Sequence, residues 1–217
     1  MEKLDKIYEK VNGSYFGIIG FIISFFSILI AQILYMEVDP SFSVTTNFIS
    51  DLGNGPNGSD IVFNTGMILH GIFNIPFYTY LGWYLFQRRE DNSLRIGMIA
   101  GIIGSIGQIL VGVFPFDPVD NFSFNMHILA AEILFYAILI MLLIYGISEY
   151  RNPNIPKVLS ILAFISAILY GAFMTLVIIQ YSSSIPFQIN THVIEWIGAW
   201  MMSVWVIAHI YYTLKHR

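Results

Sequence analysis

Residues 14–36 read SYFGIIGFIISFFSILIAQILYM and contain no Asp, Glu, Lys or Arg. At roughly 1.5 Å of rise per residue, a helix of this length crosses the ~30 Å hydrocarbon core of a bilayer. Backbone amides find no water there, so an uncharged run this long is read as a transmembrane helix. Five further apolar runs follow, at about 61–86, 96–114, 126–147, 158–181 and 191–214.

The basic residues check that count. Lys3, Lys6 and Lys10 precede the first run, and Arg88, Arg89 and Arg95 lie between the second and third. Arg151 and Lys157 lie between the fourth and fifth, and Lys215 and Arg217 follow the sixth. All ten Lys and Arg therefore fall on one side of the membrane, and the three opposite loops have none. A miscounted span would scatter them over both sides. The positive-inside rule then predicts both termini in the cytoplasm. The expected fold is all-α: a six-transmembrane-helix bundle, one multi-pass membrane domain over 1–217, placed in the cell (plasma) membrane.

Composition agrees and excludes several function classes. The chain is 56% hydrophobic and 11% charged, against roughly 25% charged for a soluble domain. It has no cysteine, hence no disulfide, thiol nucleophile or thiolate metal ligand. A net charge of −4 and the lack of a basic face argue against a nucleic-acid partner. Residues 1–12 alternate charged and apolar positions at helical spacing, which fits either an interfacial helix or the first exposed turns of span 1. The apolar run is too long for a cleavable signal peptide, and no small-residue cleavage site follows it.

Two spans carry internal marks. Span 2 contains Pro76, and span 3 carries Gly97, Gly101, Gly104, Ser105, Gln108 and Gly112 along one face, which predicts close helix approach around it. The loop at 37–60 holds Thr45-Thr46-Asn47-Phe48-Ile49-Ser50-Asp51-Leu52-Gly53 and is too long for a simple connector. One reading makes Ser50, Asp51 and Asn57-Gly58 turn and cap residues. The other makes the loop a lid over the outer mouth of the bundle.

Polar groups concentrate in the outer half. His127 and His192 open their spans, and Glu195 lies one turn below His192 on the same face. Glu132, Gln108, Asn64 and Thr175 fall roughly 5–10 Å below the outer surface, and His70 and Ser105 lie near the midplane. The inner half holds little beyond Asn74, Ser160, Ser166 and Ser203, with His209 expected to reach the cytoplasmic interface. An ionisable residue inside a span is costly and by default suggests a site with a partner. A carboxyl that fastens two helices is the structural alternative for Glu132 and Glu195.

One constellation gathers from the outer ends of different elements: Ser50, Asp51, Asp117, His127, His192 and Glu195. Imidazole with carboxylate suits general acid–base work on an ester or phosphodiester. It also suits a divalent metal such as zinc, with His127, His192 and Asp117 as ligands. In this reading Asp51 and Asp117 bind a cation or orient an imidazole. His127 and His192 are bases or ligands, Glu195 orients His192, and Ser50 is a candidate nucleophile. No HExxH, GxSxG or phosphate-binding loop is present.

Several of these stretches resemble the Frag/DRAM/Sfk group of six-span membrane proteins and related prokaryotic families. The similarity rests on Phe48-Ile49-Ser50-Asp51-Leu52-Gly53 with Phe63-Asn64, and on the glycine-rich span 3 ending in Val113-Phe114-Pro115-Phe116-Asp117. His127, His192 and Glu195-Trp196 complete it. The resemblance implies lipid biology: remodelling of lipid anchors, lysosomal membranes and autophagy, and phosphoinositide control. The expected function is therefore action on membrane lipid, as head-group or acyl-ester hydrolysis or transfer. A non-catalytic lipid sensor or scaffold is the alternative, and a small transporter a further one, for which no internal repeat is visible.

Overall fold

Charge breaks divide the apolar sequence into helices. The computed structural model describes residues 2–182 and 189–216. A short helix α1 (Glu2–Tyr8) precedes six long ones: α2 (Ser14–Val38), α3 (Ser59–Arg88), α4 (Ser93–Val113), α5 (Asn121–Arg151), α6 (Lys157–Ser182) and α7 (Thr191–Lys215). Each of the six is long and apolar enough to cross a membrane. Among the described residues there is no strand, and the only other helical element is a 3₁₀ segment at Ile49–Asn54.

Each long helix packs on its neighbours in sequence, and α7 returns to α2, so the six form a closed ring. Alternating direction brings the start of α2 and the end of α7 to one end of that ring. The described Lys and Arg residues gather there, and it is called the basic end below; Arg217 lies outside the described residues. The loop at 37–60 closes the other end, the lid end.

Close approach in the ring depends on glycine. A Cβ on Gly107 would lie 2.6 Å from the Leu134 backbone nitrogen of α5, and one on Gly112 would lie 2.5 Å from the Asn64 carbonyl oxygen of α3. Backbones meet at both positions, so no side chain can move aside to make room. The glycine pattern of α4 thus serves two neighbours. Gly97 and Gly104 face α5 side chains, Gly101 stands between Met141 of α5 and Tyr78 of α3, and Gly112 faces α3.

α1 is separate from α2 and docks on α3. Tyr8 packs against Tyr80 and Trp83 at ring separations of 5.2 and 5.6 Å. Its hydroxyl donates to the Pro76 carbonyl at 2.8 Å. Thr79 Oγ1 donates to the Ile75 carbonyl at 2.7 Å. Side chains thus bond two carbonyls around the proline, whose missing N–H disturbs the helical ladder.

Packing differs between the ends. The basic half is filled by large side chains, including Tyr78, Tyr80, Leu142, Tyr145 and Trp205. It also holds a polar pair that corrects the reading of His209 as an interfacial residue. His209 is 1% exposed and Glu149 0% exposed, and His209 Nε2 lies 2.7 Å from Glu149 Oε1. His209 Nδ1–H donates to the Trp205 carbonyl at 2.7 Å. The physical reason is enclosure: Trp205, Tyr145 and Leu142 are fully buried with the pair, which keeps the imidazole from water. The lid half has a smaller core of Ala31, Phe42, Ile49, Leu52, Phe63, Met67 and Trp196, and is hollow beside it.

Candidate functional site

The lid is built from local turns. Asp39 Oδ1 accepts the Ser41 amide and hydroxyl at 3.0 and 2.6 Å. Asp51 Oδ2 accepts the Phe48 amide at 2.8 Å and caps the 3₁₀ segment. Ser59 Oγ and Asn64 Nδ2 donate to the Leu52 and Gly53 carbonyls at 3.0 and 2.8 Å. Asn57 and Gly58 turn the chain into α3 with φ of +57° and +79°, a left-handed pair that Asn and Gly tolerate.

The start of α7 fastens this lid. Glu195 Oε2 accepts the Ile49 amide at 2.7 Å, and Trp196 Nε1 donates to the Asn47 carbonyl at 3.0 Å. Asn190 Nδ2 donates to the Thr45 carbonyl at 2.7 Å. The His192 and Phe48 rings stack with centroids 4.1 Å apart. The loop and the α7 start therefore bind each other mainly through backbone groups of the loop.

Beneath the lid lies a cavity of about 480 Å³. Its upper wall includes Phe48, Ser50, Phe116, His127 and Glu195, and its floor includes Tyr78, Met202 and Val206. From Glu195 to Val206 the α7 wall rises roughly 16 Å, about half of a bilayer core. Most lining groups are aromatic or aliphatic. Glu132, Gln108 and His70 interrupt them at middle depth. Gln108 Nε2 lies 2.9 Å from the Met67 sulfur, and His70 Nε2 accepts from Asn74 Nδ2 at 2.9 Å.

The sequence candidates separate into two sets. Ser50, His127 and Glu195 line the cavity; Asp51, Asp117 and His192 do not. Asp51 is occupied as the lid cap. Its burial pushes the carboxyl above the ordinary aspartate range, against the opposing pull of the Phe48 amide, Asn47 and His192. Asp117 Oδ1 accepts the Val119 amide at 2.9 Å in the turn before α5. His192 Nδ1 lies 3.2 Å from Asn190 Oδ1 and donates to it. Glu195 Oε2 is bonded to Ile49 and His192 Nδ1 to Asn190, so each has another partner.

His127 lines the cavity with one ring nitrogen engaged. Its Nδ1–H donates to the Phe114 carbonyl at 2.8 Å, so the neutral ring keeps the lone pair on Nε2. The metal reading finds no support in this geometry. Among the described residues no group of three or more His, Asp or Glu side chains stands close enough to hold an ion. His127, His192 and Asp117 each have another engagement, with Phe114, Phe48 and Val119.

The structure adds wall residues that the sequence constellation leaves out, chiefly Glu132 and His70. Both are ionisable groups within a span, which is the signal that could have included them. Nothing in the sequence announces Glu149 as the partner of His209, 60 residues away.

A ring of six helices around a lidded, mainly apolar cavity defines a multi-pass helical membrane protein. Residues 18–211 match the family described as "Protein of unknown function (DUF998)", and the chain belongs to that family. Comparison with curated proteins and with solved structures found no match.

Proposed function

We propose that this protein binds a membrane amphiphile in the cavity, hydrocarbon toward the Tyr78–Val206 floor and head group under the lid, and performs acid–base chemistry on its head group or acyl ester. The cavity carries the reading: about 480 Å³ falls within the roughly 300–1,000 Å³ of small-molecule pockets. Its polarity is concentrated toward the lid. His127 is the base. In ester cleavage, water gives a proton to Nε2 as its oxygen bonds the acyl carbon. The same proton then leaves with the departing alkoxide. Ser50 and Glu195 supply a hydroxyl and a carboxyl on the same wall.

Two sequence features support the same reading. One-sided Lys and Arg favour cytoplasmic termini, which puts the cavity in the outer leaflet of the plasma membrane. The likeness to the Frag/DRAM/Sfk group favours lipid over a soluble substrate. A second reading, a lipid sensor without catalysis, is favoured by the bond from Ile49 to Glu195, which makes that carboxyl a lid fastening.

Native mass spectrometry of detergent-extracted protein tests the binding, and lipid profiles of expressing membranes test the chemistry. The expected result is a co-purified amphiphile that Ala131→Phe, a change on the cavity wall, displaces. His127→Ala is expected to abolish turnover while the protein stays folded. Empty wild-type protein would overturn the binding. Identical lipid profiles with and without the protein would leave only the sensor.

A further inference from the structure

The cavity wall is one-sided in its ionisable groups. Among the described residues Glu132 and Glu195 line it with the imidazoles of His70 and His127, and no Lys or Arg does. The chain keeps all of its basic residues in segments at the other end of the spans. Arg151, the basic residue on the helix of Glu132, is roughly 28 Å farther along at 1.5 Å per residue. Lys215 is about 30 Å from Glu195 by the same rise. Residues 183–188, between α6 and α7 in the sequence, contain neither Lys nor Arg.

A phosphate head group would enter this wall beside two carboxyls with no Lys or Arg to pair it. The imidazoles there, His70 and His127, each spend one ring nitrogen on Asn74 and Phe114, and a poorly paired buried anion is strongly disfavoured. A cation meets the opposite situation. The upper wall supplies aromatic rings, Phe48, Phe116, Phe135, Phe173 and Trp196 among them, whose faces attract ammonium groups. Glu195 is already tied to Ile49 through Oε2, whereas among the described residues Glu132 makes no hydrogen bond to the lid and stands at middle depth on α5. Its carboxyl is the group available to an incoming charge.

We infer that the ligand is a single-chain amphiphile with a cationic ammonium head and no phosphate, its chain along the α7 wall and its head between Glu132 and the aromatic rings beneath the lid. This rests on the proposal that the cavity takes an amphiphile, and names the chemical class it takes. One chain suits a cavity of about 480 Å³, and the wall from Glu195 to Val206, roughly 16 Å tall, gives it the depth of one leaflet to lie in.

The test compares three probes that share one chain and differ in head charge: hexadecylamine, hexadecanol and hexadecyl phosphate. Each is titrated into the full-length protein in nanodiscs of zwitterionic lipid, and bound probe is counted by native mass spectrometry. Empty nanodiscs are run in parallel to subtract partitioning into lipid. The amine is expected to bind at least tenfold tighter than the alcohol, with the phosphate weakest. In Glu132→Gln the preference for amine over alcohol is expected to fall several-fold. The wild-type series needs no variant to fold, so it decides even if Glu132→Gln does not. Equal affinities, or a phosphate that binds best, would overturn the cationic assignment and leave the amphiphile site standing. Failure of all three to bind specifically would overturn the amphiphile site and this assignment with it.

Discussion

The Ile49 amide donates to Glu195 Oε2 at 2.7 Å across 146 residues of sequence. This bond joins the first residue of the 3₁₀ segment to the second turn of α7. With the Trp196–Asn47 and Asn190–Thr45 bonds it turns a long connector into a lid. The lid closes the cavity because Ile49 and Leu52 are buried with Trp196 and Phe63 in one small core.

Asn190 tests how much of that closure is polar. Its side chain caps α7 through the Val193 amide at 3.2 Å and holds the lid through the Thr45 carbonyl at 2.7 Å. Asn190→Ala removes both bonds and the His192 bond to the side-chain oxygen. A lost helix cap costs about 0.5–2 kcal/mol and a lost hydrogen bond about 0.5–1.5 kcal/mol. The expected outcome is faster proteolysis at residues 43–47 with a modest fall in melting temperature. A lid as resistant as the wild type would show that its apolar core alone keeps it shut.

Asp51 gives lid stability a pH dependence whose sign can be worked out. Burial raises its carboxyl above the ordinary value, so the folded state binds the proton more tightly than the unfolded chain does. Stability from this group is then greatest below the unfolded value of about 3.9. It declines as pH rises through the interval up to the folded value. Asp51→Asn keeps an acceptor for the Phe48 amide and removes the titration. Lid protection measured against pH by hydrogen exchange at residues 48–52 is expected to slope downward across that interval in wild type and to flatten in the variant. A wild-type slope of opposite sign would refute the assignment.

The Glu149–His209 pair invites a test of a different kind. Removing one partner of a buried pair leaves the other without compensation, which typically costs about 3–5 kcal/mol. His209→Ala is expected to lose stability of this order in detergent unfolding. Replacing both residues with apolar ones, as in Glu149→Leu with His209→Phe, is expected to recover most of it. A single variant as stable as wild type would mean that Glu149 finds another partner in place of the imidazole.

How much of this was readable before the fold follows from what each feature depends on. The six spans depend on local composition and on the one-sided Lys and Arg, both of which are properties of short windows. The lid was readable as a possibility, since Asp51, Asn57 and Gly58 are turn formers in their own right. Its fastening was not, because Glu195 and Trp196 bond backbone groups of Ile49 and Asn47, and a backbone amide has no sequence signature. Grouping residues by depth placed Asp51, Asp117 and His192 with Ser50, His127 and Glu195. Depth along a helix says nothing of direction around the ring, and only the latter three reach the cavity. Glu149 stands two residues before Arg151 and looks like any acid at a helix end; only the ring turns it toward His209.

Glu195→Gln separates catalysis from fastening. Gln retains a carbonyl oxygen that accepts the Ile49 amide, so the bond at 2.7 Å survives in kind. The side-chain volume is unchanged, so the Trp196 core beside it is not disturbed. If Glu195 only fastens the lid, the cost is the difference between a charge-assisted and a neutral hydrogen bond, about 1 kcal/mol. Lid protection and cavity occupancy would then stay near wild type. If Glu195 also exchanges a proton during turnover, the amide cannot replace it, and the lost acid–base contribution is typically 10²–10⁴-fold. A part for Glu195 in proton transfer beside His127 therefore predicts a folded, lidded and occupied Glu195→Gln protein whose turnover falls at least a hundredfold. Three readouts on one preparation decide it: proteolysis of the lid, native mass spectrometry of the bound amphiphile, and lipid conversion in membranes. Full turnover in the variant would remove Glu195 from the chemistry and leave His127 to act without it.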